Sequence, residues 1–240
     1  MVYEKLQNYF RGLLRQYRLQ EEEIKVTARP LSPEEAIGTP RDSDYPLLKG
    51  KERLMEAVFR GARGHAYTDL YGNFQGSLGE VASLKLINNF KRAVFIASLN
   101  AVMRKFSLAE GTIHCRDEEP VDCARQLIPY LDELGRFTKV ALIGLQPRLL
   151  EALKENYRVR VIDLDPDNVN SRRKGVLVES AENADEVINW AELLLVTGTT
   201  VVNGTIENFI GSGRKTVFYG VTIAGPAVVL GLNRFCALGH

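Results

Sequence analysis

The stretch from Leu193 to Ile210, LLLVTGTTVVNGTIENFI, constrains the fold more than any other part of the chain. Leu193-Leu194-Leu195-Val196 is an unbroken apolar run, as expected of a strand buried on both faces of a parallel sheet. Hydroxyls then replace apolar side chains at Thr197-Gly198-Thr199-Thr200. Asn203-Gly204-Thr205 opens a short amphipathic helix with Ile206, Phe209 and Ile210 on one face, and Thr205 is a good N-cap residue for it. A strand, a polar turn and a helix in this order mark the carboxyl edge of an open α/β sheet, where ligands bind. Gly198 and Gly204 allow close backbone approach or a positive φ. Free N–H groups at the helix start suit an anion or a polar oxygen. Gly198, Thr199, Thr200, Asn203, Gly204 and Thr205 are therefore candidate ligand contacts.

The rest of the chain splits into two patterns. Leu6, Phe10, Leu13, Leu14 and Tyr17 recur at helical spacing and predict an opening amphipathic helix. A strand is expected over Ile24 to Ala28, and a long irregular connection where Pro30, Pro33, Gly38 and Pro40 cluster. A helix is expected from Lys51 to Arg60. A hairpin is expected where His65 to Leu70 leads into Tyr71-Gly72-Asn73-Phe74. Ala93 to Phe106 is apolar enough for a buried helix, and Asn100 inside it needs partners for its amide, either core groups or a ligand. The polar connector Gly111 to Pro120 is the expected boundary between domains at 1–112 and 113–240. A helix from Val121 to Leu134 should kink at Pro129. Beyond it strands and helices alternate. Strands are expected at Lys139–Ile143, Arg158–Leu164, Val176–Val178 and Thr216–Tyr219, and helices at Pro147–Glu155 and Asp185–Trp190. Gly225-Pro226 should start a last helix with proline at its first position. This alternation predicts a doubly wound, mostly parallel sheet.

Composition narrows the function classes. Over 240 residues the chain is 45% hydrophobic and 25% charged, as in an ordinary globular protein. A net charge of +1 argues against a nucleic-acid partner or a membrane-surface role. No run approaches a membrane span. MVYEKLQNYFRGLLRQY mixes charges into its apolar residues and does not read as a signal peptide. Three cysteines make no disulfide framework. A cytoplasmic protein is expected, in which the Asn203-Gly204-Thr205 glycosylation triplet has no use.

Three groupings could carry chemistry. Ile143-Gly144 ends one strand and Ile162-Asp163 ends the next, about 20 residues on, which is the skeleton of a dinucleotide fingerprint. The remaining glycines are missing and Pro147 occupies the helix start, so an NAD site is not expected. A nucleoside or S-adenosylmethionine site with Asp163 on a ribose stays open beside a solvated strand-end carboxylate. Asp163, Asp165 and Asp167 alternate like the start of a calcium loop, but Asn168 and Lys174 stand where glycine and a closing glutamate are required. His114, Cys115 and Cys123 form the densest group of soft ligands, of the kind that suits zinc, cobalt or nickel. Deprotonating each thiol costs about 2 kcal/mol at neutral pH. A structural zinc site supplies roughly 10–16 kcal/mol. Their spacing matches no common zinc pattern, and Cys123 falls on the apolar face of its helix. No nucleophile–base pair stands out.

The run Thr197-Gly198-Thr199-Thr200-Val201-Val202-Asn203-Gly204-Thr205 resembles the signature of a family known as putative heavy-metal chelation domain proteins. Ser98-Leu99-Asn100-Ala101 and the Ile143-Gly144 strand end add to the likeness. The resemblance implies an α+β N-terminal domain similar to that of enolase, followed by a Rossmann-like α/β domain, with the site in the cleft between them. It departs at Gly220-Val221-Thr222-Ile223, where relatives tend to have Gly-Pro-Ser, although Thr222 keeps a hydroxyl. The expectation is a protein whose cleft binds a small polar ligand, with or without a transition metal. Asn100 would reach in from the first domain, and Gly144, Asp163 and Thr222 would complete the wall. A transferase using a nucleoside or S-adenosylmethionine is the alternative, and a non-catalytic assembly protein a second. A homodimer is the expected oligomer.

Overall fold

The computed structural model describes residues 2–27, 31–42, 44–45 and 52–240. Helix α1 (Val2–Gln16) buries Leu6, Phe10, Leu13 and Leu14, as its periodicity predicts. Strand β1 (Glu23–Thr27) is followed by a short helix α2 (Pro33–Ile37), then by β2 (Arg53–Phe59), β3 (Ala62–Thr68) and β4 (Phe74–Ser77). These strands form an antiparallel sheet in the order β3-β2-β1-β4. Helix α3 (Leu78–Ala82) starts at a capping box in which Ser77 and Glu80 satisfy each other's backbone N–H groups. Helix α4 (Asn89–Lys105) follows and packs on β2 and β3.

Three expectations fail in this half. The segment predicted as a helix from Lys51 to Arg60 is strand β2, with Lys51 itself outside the described residues. Leu, Met, Glu and Ala favour helices, but pairing with strands on both sides outweighs so weak a propensity. The predicted hairpin at Tyr71 to Phe74 joins strands that do not pair with each other. The tight hairpin lies instead between β2 and β3, at Arg60-Gly61, where both residues have positive φ. The connection expected to be irregular contains α2, started by a Ser32–Glu35 capping box; Pro30 lies outside the described residues.

The second half begins with α5 (Glu119–Arg125) and α6 (Leu127–Leu134). The break falls at Gln126 rather than at Pro129. Pro129 sits in the first turn of α6, where its missing N–H has no helical partner to lose. Then come β5 (Lys139–Ile143), α7 (Pro147–Lys154), β6 (Arg158–Asp163), β7 (Arg172–Arg173), β8 (Val176–Ser180) and α8 (Ala184–Trp190). The chain continues through β9 (Leu193–Thr197), α9 (Thr200–Asn203), α10 (Ile206–Ile210), β10 (Lys215–Tyr219), α11 (Ala224–Leu230) and β11 (Arg234–Phe235). Pro226 is the third residue of α11, not the first.

The sheet order is β11-β10-β9-β5-β6-β8-β7, parallel except where the short edge strand β7 turns back on β8. The chain runs outward from β5 to one edge, returns to β9 beside β5, and runs outward to the other edge. The reversal leaves a crevice between the carboxyl ends of β5 and β9. The two sheets share no strand. One apolar core nevertheless joins them through α4, in which every residue from Ala93 to Met103 is buried. A second core lies on the other face of the parallel sheet, under α5, α6 and α7.

Candidate functional site

Each parallel strand near the reversal ends in a residue that shapes a wall. Gly144 follows β5 with φ +84, and a Cβ there would stand 2.7 Å from Thr197. At Gly198, after β9, a Cβ would meet Ile223 at 2.8 Å. Both positions are small because chain packs against chain. Thr200 donates its hydroxyl to the Thr197 carbonyl (2.8 Å), and Thr197 donates to the Thr199 hydroxyl (3.1 Å), so the polar turn winds directly into α9. Gly204 takes the left-handed conformation, φ +83, that ends this helix. Thr205 precedes α10 without a side-chain cap, contrary to expectation, because its backbone is near-helical (φ −105, ψ 0) rather than extended as a capping residue requires. Ile210 is exposed, while Ile206 and Phe209 are buried.

A cavity of about 650 Å³ opens at this edge. Gly144, Asp163, Gly198, Thr199, Thr200, Asn203, Thr205 and Thr222 line it, together with His114, Cys115 and Cys123. Asn203, Thr205 and Asn208 present side chains that make no hydrogen bond to the described residues. Thr222 accepts from the Tyr67 amide (3.0 Å) and so ties the β10 edge to β3. Tyr219 donates to the Gly144 carbonyl (2.7 Å), and burial raises its phenol far above the ordinary range.

Two expected contacts stand outside the cavity wall. Gly204 packs toward the Arg92 guanidinium. Asn100 is fully buried; its amide nitrogen donates to the carbonyls of His65, Val221 and Thr222 (2.9, 3.2 and 3.2 Å), and its oxygen accepts from Gly225 N–H (2.8 Å). It is a clamp between the two sheets rather than a ligand contact. Asp163 lines the cavity, but Leu145 and Asp165 N–H groups engage its two oxygens (2.6 and 2.7 Å). Burial raises its carboxyl above the usual range.

The soft-ligand group behaves differently from the expectation. Among the described residues no three His, Cys, Asp or Glu side chains are grouped so as to hold a metal ion. His114 Nδ1 is buried without a partner, and burial together with His65 lowers its pKa to about 4. Burial raises Cys115 far above the ordinary thiol range and raises Cys123 as well. A neutral imidazole and two protonated thiols therefore line the wall at neutral pH, joined by Cys236. They do not amount to a metal cage.

Several wall residues were missed from the sequence. Tyr45 comes from the segment after α2, which Arg148 holds to α7. That arginine is buried and pairs with Asp42 (3.0 Å), Asp44 (2.7 Å) and Glu151 (2.7 Å). Glu52, Tyr67, Asp69 and Asn89 come from the antiparallel half. No local pattern marks them, since the wall residues they face on the parallel sheet come from a separate part of the sequence.

A seven-stranded, mostly parallel sheet with a cavity across its reversal defines an open α/β protein. Residues 128–239 match the family DUF364, described as "Putative heavy-metal chelation". A DUF364 protein of unknown function from Pyrococcus horikoshii has a similar structure, with a TM-score of 0.58 at 19% identity over 92% of this chain and 80% of the other. One from Desulfitobacterium hafniense gives 0.53 at 13% identity over 92% and 83%. No curated protein matches the chain. Among the described residues no helix is long and apolar enough to cross a membrane.

Proposed function

We propose that the chain binds a small polar molecule in the cavity between an enolase-N-terminal-like antiparallel unit and a Rossmann-like unit. The strand order supports the second label, since the sheet reverses between β5 and β9 as in a doubly wound fold. The observation that carries the reading is the set Asn203, Thr205 and Asn208. Three polar side chains line one cavity with no hydrogen-bond partner among the described residues. Asn203 and Thr205 are partly exposed and Asn208 is exposed, so water satisfies them in the free protein, and a ligand with donors and acceptors would replace that water. Thr199 and Thr200 add hydroxyls beside them. A transferase that holds a ribose through Asp163 has no support, because backbone N–H groups already engage both carboxylate oxygens. Zinc, cobalt or nickel would enter this cavity only with donors of its own, since the wall offers no three-ligand group among the described residues.

Native mass spectrometry with elemental analysis, on protein purified without chelator, tests the reading. The expected outcome is a retained small molecule that Asn203→Ala releases without loss of fold. The same spectrum reports subunit count, for which a homodimer is proposed. It also reports metal, which a Cys115→Ser, Cys123→Ser double variant should leave unchanged. Undiminished ligand retention in Asn203→Ala and Thr199→Val would remove the cavity from consideration.

A further inference from the structure

The cavity wall carries four carboxyl groups, Glu52, Asp69, Asp163 and Asp165, and no lysine or arginine among its described residues. Three of the four are hydrogen-bonded. Asp69 accepts from the Asn89 amide (2.6 Å), Asp165 from Asp167 N–H (3.0 Å), and Asp163 from two backbone N–H groups. Glu52 is the exception. Its side chain has no hydrogen-bond or ion-pair partner among the described residues. It keeps a little accessible surface and lines the cavity, yet the atoms packed around it desolvate it like a core residue.

We propose that the cavity selects a small organic cation, a molecule bearing an ammonium group, over neutral or anionic ligands of the same shape, with Glu52 as the counter-charge. This rests on the reading of the cavity as a ligand site. The chemistry is electrostatic. An unpaired carboxylate in a desolvated wall gains most from a ligand that brings both positive charge and N–H donors. Burial first, and then Asp163, Asp69 and Asp165, raise the Glu52 carboxyl to about 7. The other titratable groups facing it are the phenols of Tyr67 and Tyr219. His114, with its pKa lowered to about 4, supplies no positive charge at neutral pH. A bare metal ion is the poorer fit, because the acids are not grouped closely enough to coordinate one together. Tyr45, Tyr67 and Tyr219 give the wall aromatic rings, whose faces attract organic cations. A phosphate-bearing or carboxylate ligand would meet repulsion and no counter-charge.

Three probes of one shape separate the outcomes: 2-phenylethylammonium, 2-phenylethanol and phenylacetate, titrated into the full chain and followed at backbone amides of Gly144, Thr199 and Asn203 by NMR. The ammonium probe should bind at least tenfold more tightly than the alcohol, and phenylacetate should not bind measurably. The amine stays charged across the range tested. Its advantage over the alcohol should therefore grow as pH rises from 5 to 8 through the Glu52 titration. In Glu52→Gln the advantage should fall at least fivefold and lose its pH dependence. Wild-type protein alone supplies the pH arm if that variant does not fold. Alcohol or phenylacetate binding as tight as the amine overturns the cation proposal and leaves the cavity as a ligand site. No shift at those amides with any probe also overturns it, and ligand retention in the mass measurement then decides the cavity reading separately.

Discussion

Asn100 shows how far one residue's meaning depends on what surrounds it. A buried amide inside an apolar helix is visible in the sequence, and its need for partners follows directly. The identity of those partners is not visible, because Val221, Thr222 and Gly225 lie over 120 positions away. Asn100→Ala should lower stability by roughly 2–4 kcal/mol in urea denaturation, since it strands buried carbonyls and an N–H group. A loss below about 1 kcal/mol would show that these groups find other partners. Glu52 makes a second prediction at this scale. Its folded pKa, about 7, lies above the value of 4.5 for a free glutamate. The group's contribution to stability is thus fully present below pH 4.5 and lost as pH rises through 7. Relative to wild type, Glu52→Gln should gain roughly 2–3 kcal/mol between pH 4.5 and 8, in denaturation curves taken across that range. A flat difference would mean that Glu52 is solvated. His114 slopes the other way in wild type, losing stability as pH falls from 6.5 to about 4, so only the difference between variants isolates Glu52.

The elements were unequally legible. The β9 strand and the polar turn after it were plain, because an apolar run ending in hydroxyls has few other uses. The short helix α9 inside that turn was not, since four residues carry too little periodicity to register. β2 was misread because its residue types favour helices, while the pairing that makes it a strand comes from β1 and β3. The soft-ligand cluster was legible as a group and misleading as a site. Nearness in sequence put His114, Cys115 and Cys123 together, but their backbone path does not gather them around one point. Gly198 tests the element-level account. A methyl group there would crowd the Ile223 backbone and side chain at 2.8 Å. Gly198→Ala should destabilise by about 1–3 kcal/mol in thermal or urea unfolding and shift the α11 entry. A neutral effect would show that the β9–α11 contact is loose.

At the scale of the whole molecule, we propose two domains, 1–112 and 113–240. The separate sheets and the connector between them motivate the division. The connector is well tied: Thr112 accepts from His65 N–H (2.9 Å), and Ile113 and His240 exchange backbone hydrogen bonds at 2.8 and 3.0 Å. The core through α4 also crosses the division. Limited proteolysis should therefore cut near residues 107–122 only once denaturant loosens this core. Early cleavage inside α4 would sink the division.

The Asn100 clamp has a further consequence for the order in which the molecule is made. Translation delivers α4 long before the loop at Val221 to Gly225. Until that loop has left the ribosome, the amide has no native partners beyond His65 and must stay hydrated, or be buried at a cost of several kcal/mol. A nascent chain lacking Val221 to Gly225 thus has reason to keep the apolar helix from settling on the antiparallel sheet. Emergence of that segment would let both halves close together, which places cavity formation after the antiparallel half has been synthesised.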